Sequence, residues 1–158
     1  MDARIEQAEA GHAFSTRRSL AMYDPAILGF FSRIAWKCPA SRVVEHYDRH
    51  VTANHLDVGV GSGYFLDHCR FPDERPRLGL MDVNDACLET TTCRVSRYRP
   101  EVYRANVLAP IAFEARPFDS VALNYLLHCL PGALHSKGVV FENLAPLVDP
   151  GGVVFGAT

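Results

Sequence analysis

Few of the features that would assign this chain to a specialised class are present. Its five cysteines, Cys38, Cys69, Cys87, Cys93 and Cys129, are odd in number and include no C-x-x-C pair. That argues against both a disulfide framework and a zinc site, and leaves small core or half-buried residues of a reducing compartment as the expectation. No stretch approaches the roughly eighteen uninterrupted apolar residues of a membrane helix; the run Ile27-Leu28-Gly29-Phe30-Phe31 is stopped by Ser32 and Arg33. The N-terminus carries Asp2, Glu6 and Glu9 without an apolar segment, so no secretory signal is expected and the cytoplasm is the expected compartment. Charge of one sign is also lacking. A net charge of −2 with both signs interspersed offers no field to a polyanion, so neither nucleic acid nor a membrane is an expected partner. The one basic cluster, Arg94, Arg97 and Arg99, reads as the solvated end of a helix. His46 and His50 lie four apart on an expected helix but have no third ligand nearby, so no metal is expected and the pair reads as an exposed helical face.

What is present is enough for one domain. At 158 residues and 48% hydrophobic content, a core can form without disulfides or a structural metal. The most informative stretch is His55-Leu56-Asp57-Val58-Gly59-Val60-Gly61-Ser62-Gly63-Tyr64-Phe65-Leu66, an apolar strand running through three alternating glycines into a helix-compatible segment. Glycine at alternate positions opens backbone angles closed to other residues and lets a ligand approach the main chain, beside the free N–H groups of the next helix. A second apolar strand, Leu78-Gly79-Leu80-Met81, ends in Asp82, about twenty residues on, where a nucleoside-binding fold places the carboxylate that accepts from both ribose hydroxyls. A dinucleotide fingerprint needs G-x-G-x-x-G, with a pyrophosphate over the helix N-terminus. This chain has Gly59-x-Gly61-x-Gly63 after Asp57, which favours a ligand without phosphates and makes a nicotinamide-dependent oxidoreductase the weakest reading.

From His55 onward the chain alternates strand and helix: strands over 55–60, 77–82, 101–107, 118–124 and 152–157, helices over 63–70, 84–97 and 134–147. Asn84 stands as N-cap, with Cys87, Leu88 and Thr91 on one side of its helix. Alternation of this kind means an α/β domain, a parallel sheet with helices on both faces. Residues 1–18 read as a mobile arm. A helix over about 25–36 and another from Pro39 to about His50 form an N-terminal cap over 19–52, ahead of the sheet core over 53–158.

The acidic residue followed by G-x-G-x-G, Asp82 after the second strand, Ala105-Asn106-Val107 after the third, 118–128 across the fourth and Leu147-Val148-Asp149-Pro150-Gly151-Gly152 before the fifth resemble, in order, the class I S-adenosylmethionine-dependent methyltransferases. Trp36-Lys37-Cys38-Pro39, 125–132 and Gly156-Ala157-Thr158 are similar to their bacterial YbcY-type group. The resemblance runs from about Tyr23 onward. It implies a three-layer Rossmann-like fold, S-adenosyl-L-methionine as cofactor and methyl transfer to a small-molecule acceptor. By resemblance, Gly59, Gly61 and Gly63 lie along the methionine part, Asp57 orders the loop and the ligand amine or caps backbone N–H groups, and Asp82 binds the ribose. Asn106 stands where the family usually has an acid and accepts from the adenine amino group through its carbonyl; Val83 and Val107 sandwich the ring or are sheet core. Asn124, Tyr125 and His128 follow the fourth strand, at the ligand crevice. Tyr125 and His128 are the catalytic candidates, with a structural histidine the alternative for His128; Tyr23 and Trp36 are candidates for the acceptor pocket.

The family's seven-stranded sheet ends in an antiparallel hairpin, whereas this chain stops after Val153-Val154-Phe155-Gly156-Ala157-Thr158. The expectation is a chain truncated after the fifth strand, with an open edge through which a homodimer forms. A non-catalytic S-adenosylmethionine-binding or assembly module is accordingly the alternative to an enzyme.

Overall fold

The computed structural model describes residues 39–157. The arm over 1–18, the helix over 25–36, Tyr23, Trp36 and Cys38 lie outside the described residues. Within them the elements are α1 (Ala40–His50), β1 (Asn54–Val58), α2 (Tyr64–His68), β2 (Arg77–Asp82), α3 (Asp85–Arg94), β3 (Glu101–Arg104), β4 (Phe118–Ala122), α4 (Val139–Leu144) and β5 (Val148–Phe155), with short 3₁₀ turns between. The five strands form one sheet in the order β3-β2-β1-β4-β5, every pairing parallel.

Both faces are covered, as a parallel sheet requires. Because side chains alternate along a strand, β1 and β2 present two apolar faces at once. Leu78 and Leu80 meet Val43 and Tyr47 of α1, Leu66 of α2, and Cys87 and Leu88 of α3. Leu56, Val58 and Met81 meet Val140 and Leu144 of α4 on the other side. β1 is the switch point, flanked by β2 and β4, whose connections run to opposite directions in the sheet; the crevice at its carboxyl end is where such folds take ligands.

The boundaries of β2 fall as the sequence suggests, and Asn84 caps α3, its side chain accepting from the Ala86 N–H. Cys87, Leu88 and Thr91 form its buried side. Other boundaries moved for local reasons. The single helix expected over 134–147 is a 3₁₀ turn over Leu134–Gly138, the short α4, and a second turn over Ala145–Leu147; Pro146 has no N–H to continue the α-helical ladder. β3 ends at Arg104 rather than 107 because Asn106 starts a turn: its carbonyl accepts from the Ala109 N–H at 3.0 Å. β5 begins at Val148, before the Asp-Pro-Gly-Gly segment, and absorbs that segment as a register shift between Phe118↔Val148 and Ser120↔Val153. Of the cysteines expected in core or half-buried positions, Cys69 and Cys87 are buried, whereas Cys93 and Cys129 are exposed. At the β5 edge, Val154 and Phe141 are exposed. No described helix is long and apolar enough to cross a membrane.

A cleft between the glycine turn and the ends of β2, β3 and β4

The turn after β1 is left-handed at all three alternate glycines, with φ of +76° at Gly59, +53° at Gly61 and +72° at Gly63. A Cβ costs strain at such angles, so the residue choice is dictated by the backbone. Space constrains the turn as well: a Cβ on Gly63 would lie 2.7 Å from Thr91 Cγ2. Thr91, fully buried on α3, also donates its hydroxyl to the Gly61 carbonyl at 3.2 Å, so α3 supports the turn from below. On Gly61 a Cβ would meet nothing within 4 Å; the main chain there borders open space.

That space is a cleft lined by the turn, by Tyr47, Asp57, Tyr64 and Phe65, and by Asn124, Tyr125 and Leu126 after β4. A narrower slot adjoins it, lined by Gly59, Met81, Val83, Asn106, Val107, Leu126 and Leu130. Asp82 borders both chambers. Its Oδ1 accepts from the Asn84 N–H at 2.9 Å, which fixes the carboxylate at the strand end. Val107 is at once a wall of the slot and part of the core on the α4 side.

Asp57 is buried beneath the turn and accepts from the Tyr47 hydroxyl at 2.5 Å. His55, on the same strand face, places Nε2 3.8 Å from the same carboxylate and its Nδ1 2.8 Å from the Ser120 hydroxyl. Tyr47 is the residue that sequence reasoning missed. It occupies an apolar position of α1, four residues after Val43, and only its phenol distinguished it from ordinary core: a buried tyrosine hydroxyl needs a partner, and the acid of the glycine motif supplies one. Burial, and then the neighbouring Asp57 charge, hold the Tyr47 hydroxyl well above its ordinary range. A folded-state value above the unfolded one of about 10 means the unfolded chain loses its proton first. The stabilisation is therefore complete below that pH and is lost as pH rises beyond it. Thermal denaturation of the wild type is expected to fall off above about pH 10 more steeply than that of Tyr47→Phe; parallel profiles would contradict the buried hydrogen bond.

Two side-chain amides line these chambers. The Asn124 carbonyl accepts from the Ala157 N–H at 3.1 Å and the Asn106 carbonyl from the Leu108 N–H at 3.0 Å. The Asn124 amide also acts on the Tyr47 hydroxyl, whereas the buried Nδ2 of Asn106 has no hydrogen-bond partner among the described residues. Buried donors are nearly always paired, so Asn106 marks where a ligand acceptor fits. The Asn106 carbonyl expected to accept from the adenine amine also accepts from its own turn, which leaves it one lone pair for a ligand.

Tyr125 lines the cleft with φ +55°, an unusual angle for a tyrosine that is held by its N–H donating to the Ala157 carbonyl at 2.8 Å. Its ring stands 5.9 Å from Phe65 and 6.0 Å from His128. His128 itself is exposed and outside the lining. Burial, with Asp82 nearby, pushes the Cys87 thiol up to about 12, so it borders the cleft as a neutral group. The two helix histidines are half-buried rather than exposed, each ring 5.4 Å from Phe155. Among the described residues no cluster of three or more His, Cys, Asp or Glu could hold a metal.

Residues 56–154 match the family described as a methyltransferase domain. Demethylluteothin O-methyltransferase of Streptomyces thioluteus is 41% identical over 158 residues, covering 100% of this chain and 67% of that protein. The YbcY protein of Escherichia coli is 35% identical over 138 residues, 83% of this chain and 68% of its own length. Among solved structures, the N-methyltransferase NodS of Bradyrhizobium japonicum, in complex with S-adenosyl-L-homocysteine, superposes with a TM-score of 0.62 at 20% identity, over 98% of this chain and 72% of that one. That likeness is one of fold.

Proposed function

The chain belongs to the class I S-adenosylmethionine-dependent methyltransferases, and from that premise we propose that it methylates a hydroxyl oxygen of a small, flat, uncharged organic molecule. The observation that carries the proposal is the continuity of the cleft with the slot across Asp82. Bound here, S-adenosyl-L-methionine would supply an electrophilic methyl group: the C–O bond would form as the C–S bond breaks, S-adenosylhomocysteine would leave and the hydroxyl proton would pass to solvent. The residues present fit it: bare backbone at Gly59, Gly61 and Gly63 for the methionine part, Asp82 for the ribose hydroxyls, Val83 and Val107 flanking the slot for the base, and the Asn106 and Asn124 amides in the walls. Asp57, locked by Tyr47, holds the floor of the turn rather than reaching out as a free carboxylate.

For the acceptor, the cleft offers rings and negative charge. Tyr64, Phe65 and Tyr125 form an aromatic rim, with Phe65 5.7 Å from Tyr64 and 5.9 Å from Tyr125, suited to a planar molecule. The carboxylates of Asp57 and Asp82 disfavour an anionic one. The protein's part in the reaction is alignment and exclusion of water; holding two reactants in attack geometry can lower a barrier by about 7–11 kcal/mol. The relative from Streptomyces thioluteus is named as an O-methyltransferase of demethylluteothin, in keeping with oxygen as the accepting atom.

The test is transfer of a labelled methyl group from S-adenosyl-L-methionine to phenolic and enolic small molecules, followed by mass spectrometry. Label in an O-methyl ether is the expected result. Label only in protein or nucleic acid, or none with any small molecule while the cofactor binds, would contradict it.

A further inference from the structure

We propose that His55 is a positioning residue for the methyl donor: its Nε2 takes up a proton beneath the glycine turn, pairs with the Asp57 carboxylate and so sets how strongly the cleft holds a cationic ligand. The inference rests on the cofactor reading given above. His55 is fully buried on β1. Its ring lies 5.8 Å from Phe155, 6.0 Å from Phe71 and 6.1 Å from Tyr47, an aromatic box that admits a polar atom only beside a partner.

The hydrogen bonds around the ring assign its hydrogens. The Thr52 hydroxyl donates to the Asn54 carbonyl at 3.0 Å, which spends its one hydrogen. The Ser120 hydroxyl, 3.0 Å from Thr52 Oγ1, is therefore the donor of that pair. Ser120 Oγ is left as an acceptor toward His55, so Nδ1, at 2.8 Å, carries the hydrogen. Nε2 is then bare. It is buried without a hydrogen-bond partner among the described residues and stands 3.8 Å from Asp57 Oδ2. A proton arriving there breaks none of the other bonds and turns the contact into a charge-assisted pair.

The charged group that faces Nε2 is Asp57 of β1. From α1 comes the Tyr47 hydroxyl, which shares Oδ2 and is held well above its ordinary range by burial and then by Asp57; β4 contributes Ser120, and β5 contributes Phe155, across which lie His46 and His50. Cys69, after α2, is pushed up to about 12 by burial and then by Asp57, so it stays neutral. Asp57 also lines the cleft, whose lining residues include Asp82 but no lysine or arginine. A proton on Nε2 offsets the charge of Asp57 from below. S-adenosyl-L-methionine carries a sulfonium charge that S-adenosylhomocysteine lacks, so its affinity suffers more from that change. A ligand that favours the unprotonated ring binds best above the range in which histidine titrates and weakens as pH falls through it.

Isothermal titration of the whole chain with both ligands at about pH 8 and about pH 5.5, on wild type and His55→Asn, reads this directly. The variant keeps an amide donor for Ser120 and removes Nε2. The wild type is expected to lose about tenfold in affinity for S-adenosyl-L-methionine on acidification, at least about threefold more than it loses for S-adenosylhomocysteine, and the difference is expected to vanish in His55→Asn. A smaller difference in the wild type, or one that persists in a folded variant, would overturn the inference. Nitrogen NMR of the wild-type ring gives a reading that needs no variant: hydrogen on Nδ1 alone at about pH 8 and on both nitrogens at about pH 5.5 is expected, and hydrogen on Nε2 alone at the higher pH, or an Nε2 still bare at the lower, would overturn it. Failure of the wild type to bind either ligand at the higher pH would overturn the cofactor reading itself, and this inference with it.

Discussion

Asp82→Ala is expected to lower the affinity for S-adenosylhomocysteine by about ten- to a hundredfold, the equivalent of 1.5–3 kcal/mol for hydrogen bonds to an ionised group. Strand geometry brings the carboxylate to the carboxyl edge of the sheet, and the Asn84 N–H holds Oδ1 at 2.9 Å, so the group is oriented before any ligand arrives. It borders both the cleft and the slot. A ligand with two vicinal hydroxyls at its midpoint and a base at one end spans both chambers only by passing this residue. Asp82→Asn keeps the turn acceptor and removes the charge, and is expected to fall between wild type and alanine. Titration calorimetry decides the matter; unchanged affinity in a folded Asp82→Ala would remove the ribose assignment.

Gly156→Ala is expected to destabilise the fold by about 3 kcal/mol, lowering Tm by roughly 6–12 °C for a domain of this size. A Cβ there would lie 2.1 Å from the Leu123 carbonyl oxygen, an overlap that no side-chain rotation relieves. The strand end and the loop after β4 are laced together at this point: the Leu123 N–H donates to the Phe155 carbonyl at 2.9 Å, the Tyr125 N–H to the Ala157 carbonyl at 2.8 Å, and the Ala157 N–H to the Asn124 side chain at 3.1 Å. Pushing β5 away therefore shifts Asn124 and Tyr125, both in the lining of the cleft. Cofactor affinity is expected to drop along with stability. An unaltered melting curve would show that the two backbones are not in contact as described.

Those two positions mark how unevenly the molecule could be read in advance. The glycine turn and Asp82 were legible because backbone chemistry leaves little choice: left-handed angles demand glycine, and an acid at the end of the second strand has a fixed place in a nucleoside fold. The parallel sheet followed from alternating strands and helices. Less legible was anything decided by tertiary contact. Tyr47 carries the same apolar spacing as its neighbours, and nothing local reveals that its hydroxyl finds Asp57, ten residues away. Asn106 borders the slot, but the hydrogen bond its side chain makes within its own turn could not be read from the sequence. His128 follows β4 closely enough to suggest catalysis, yet the chain turns its ring outward to the surface beside Tyr125. At β5, the Asp-Pro-Gly-Gly segment looked like a break before the strand; Pro150 and two glycines are instead accommodated as an irregularity at a sheet edge, where proline is tolerated.

The proposed adenosyl ligand, which carries no phosphates, bridges cleft and slot across Asp82. A crystal structure of the chain grown with S-adenosylhomocysteine tests it most directly. The account predicts ribose hydroxyls on the Asp82 carboxylate, the base between Val83 and Val107, and the amino-acid end along Gly59 to Gly63; a ligand bound elsewhere, or the cleft filled by the protein's own side chains at saturating ligand, would contradict it.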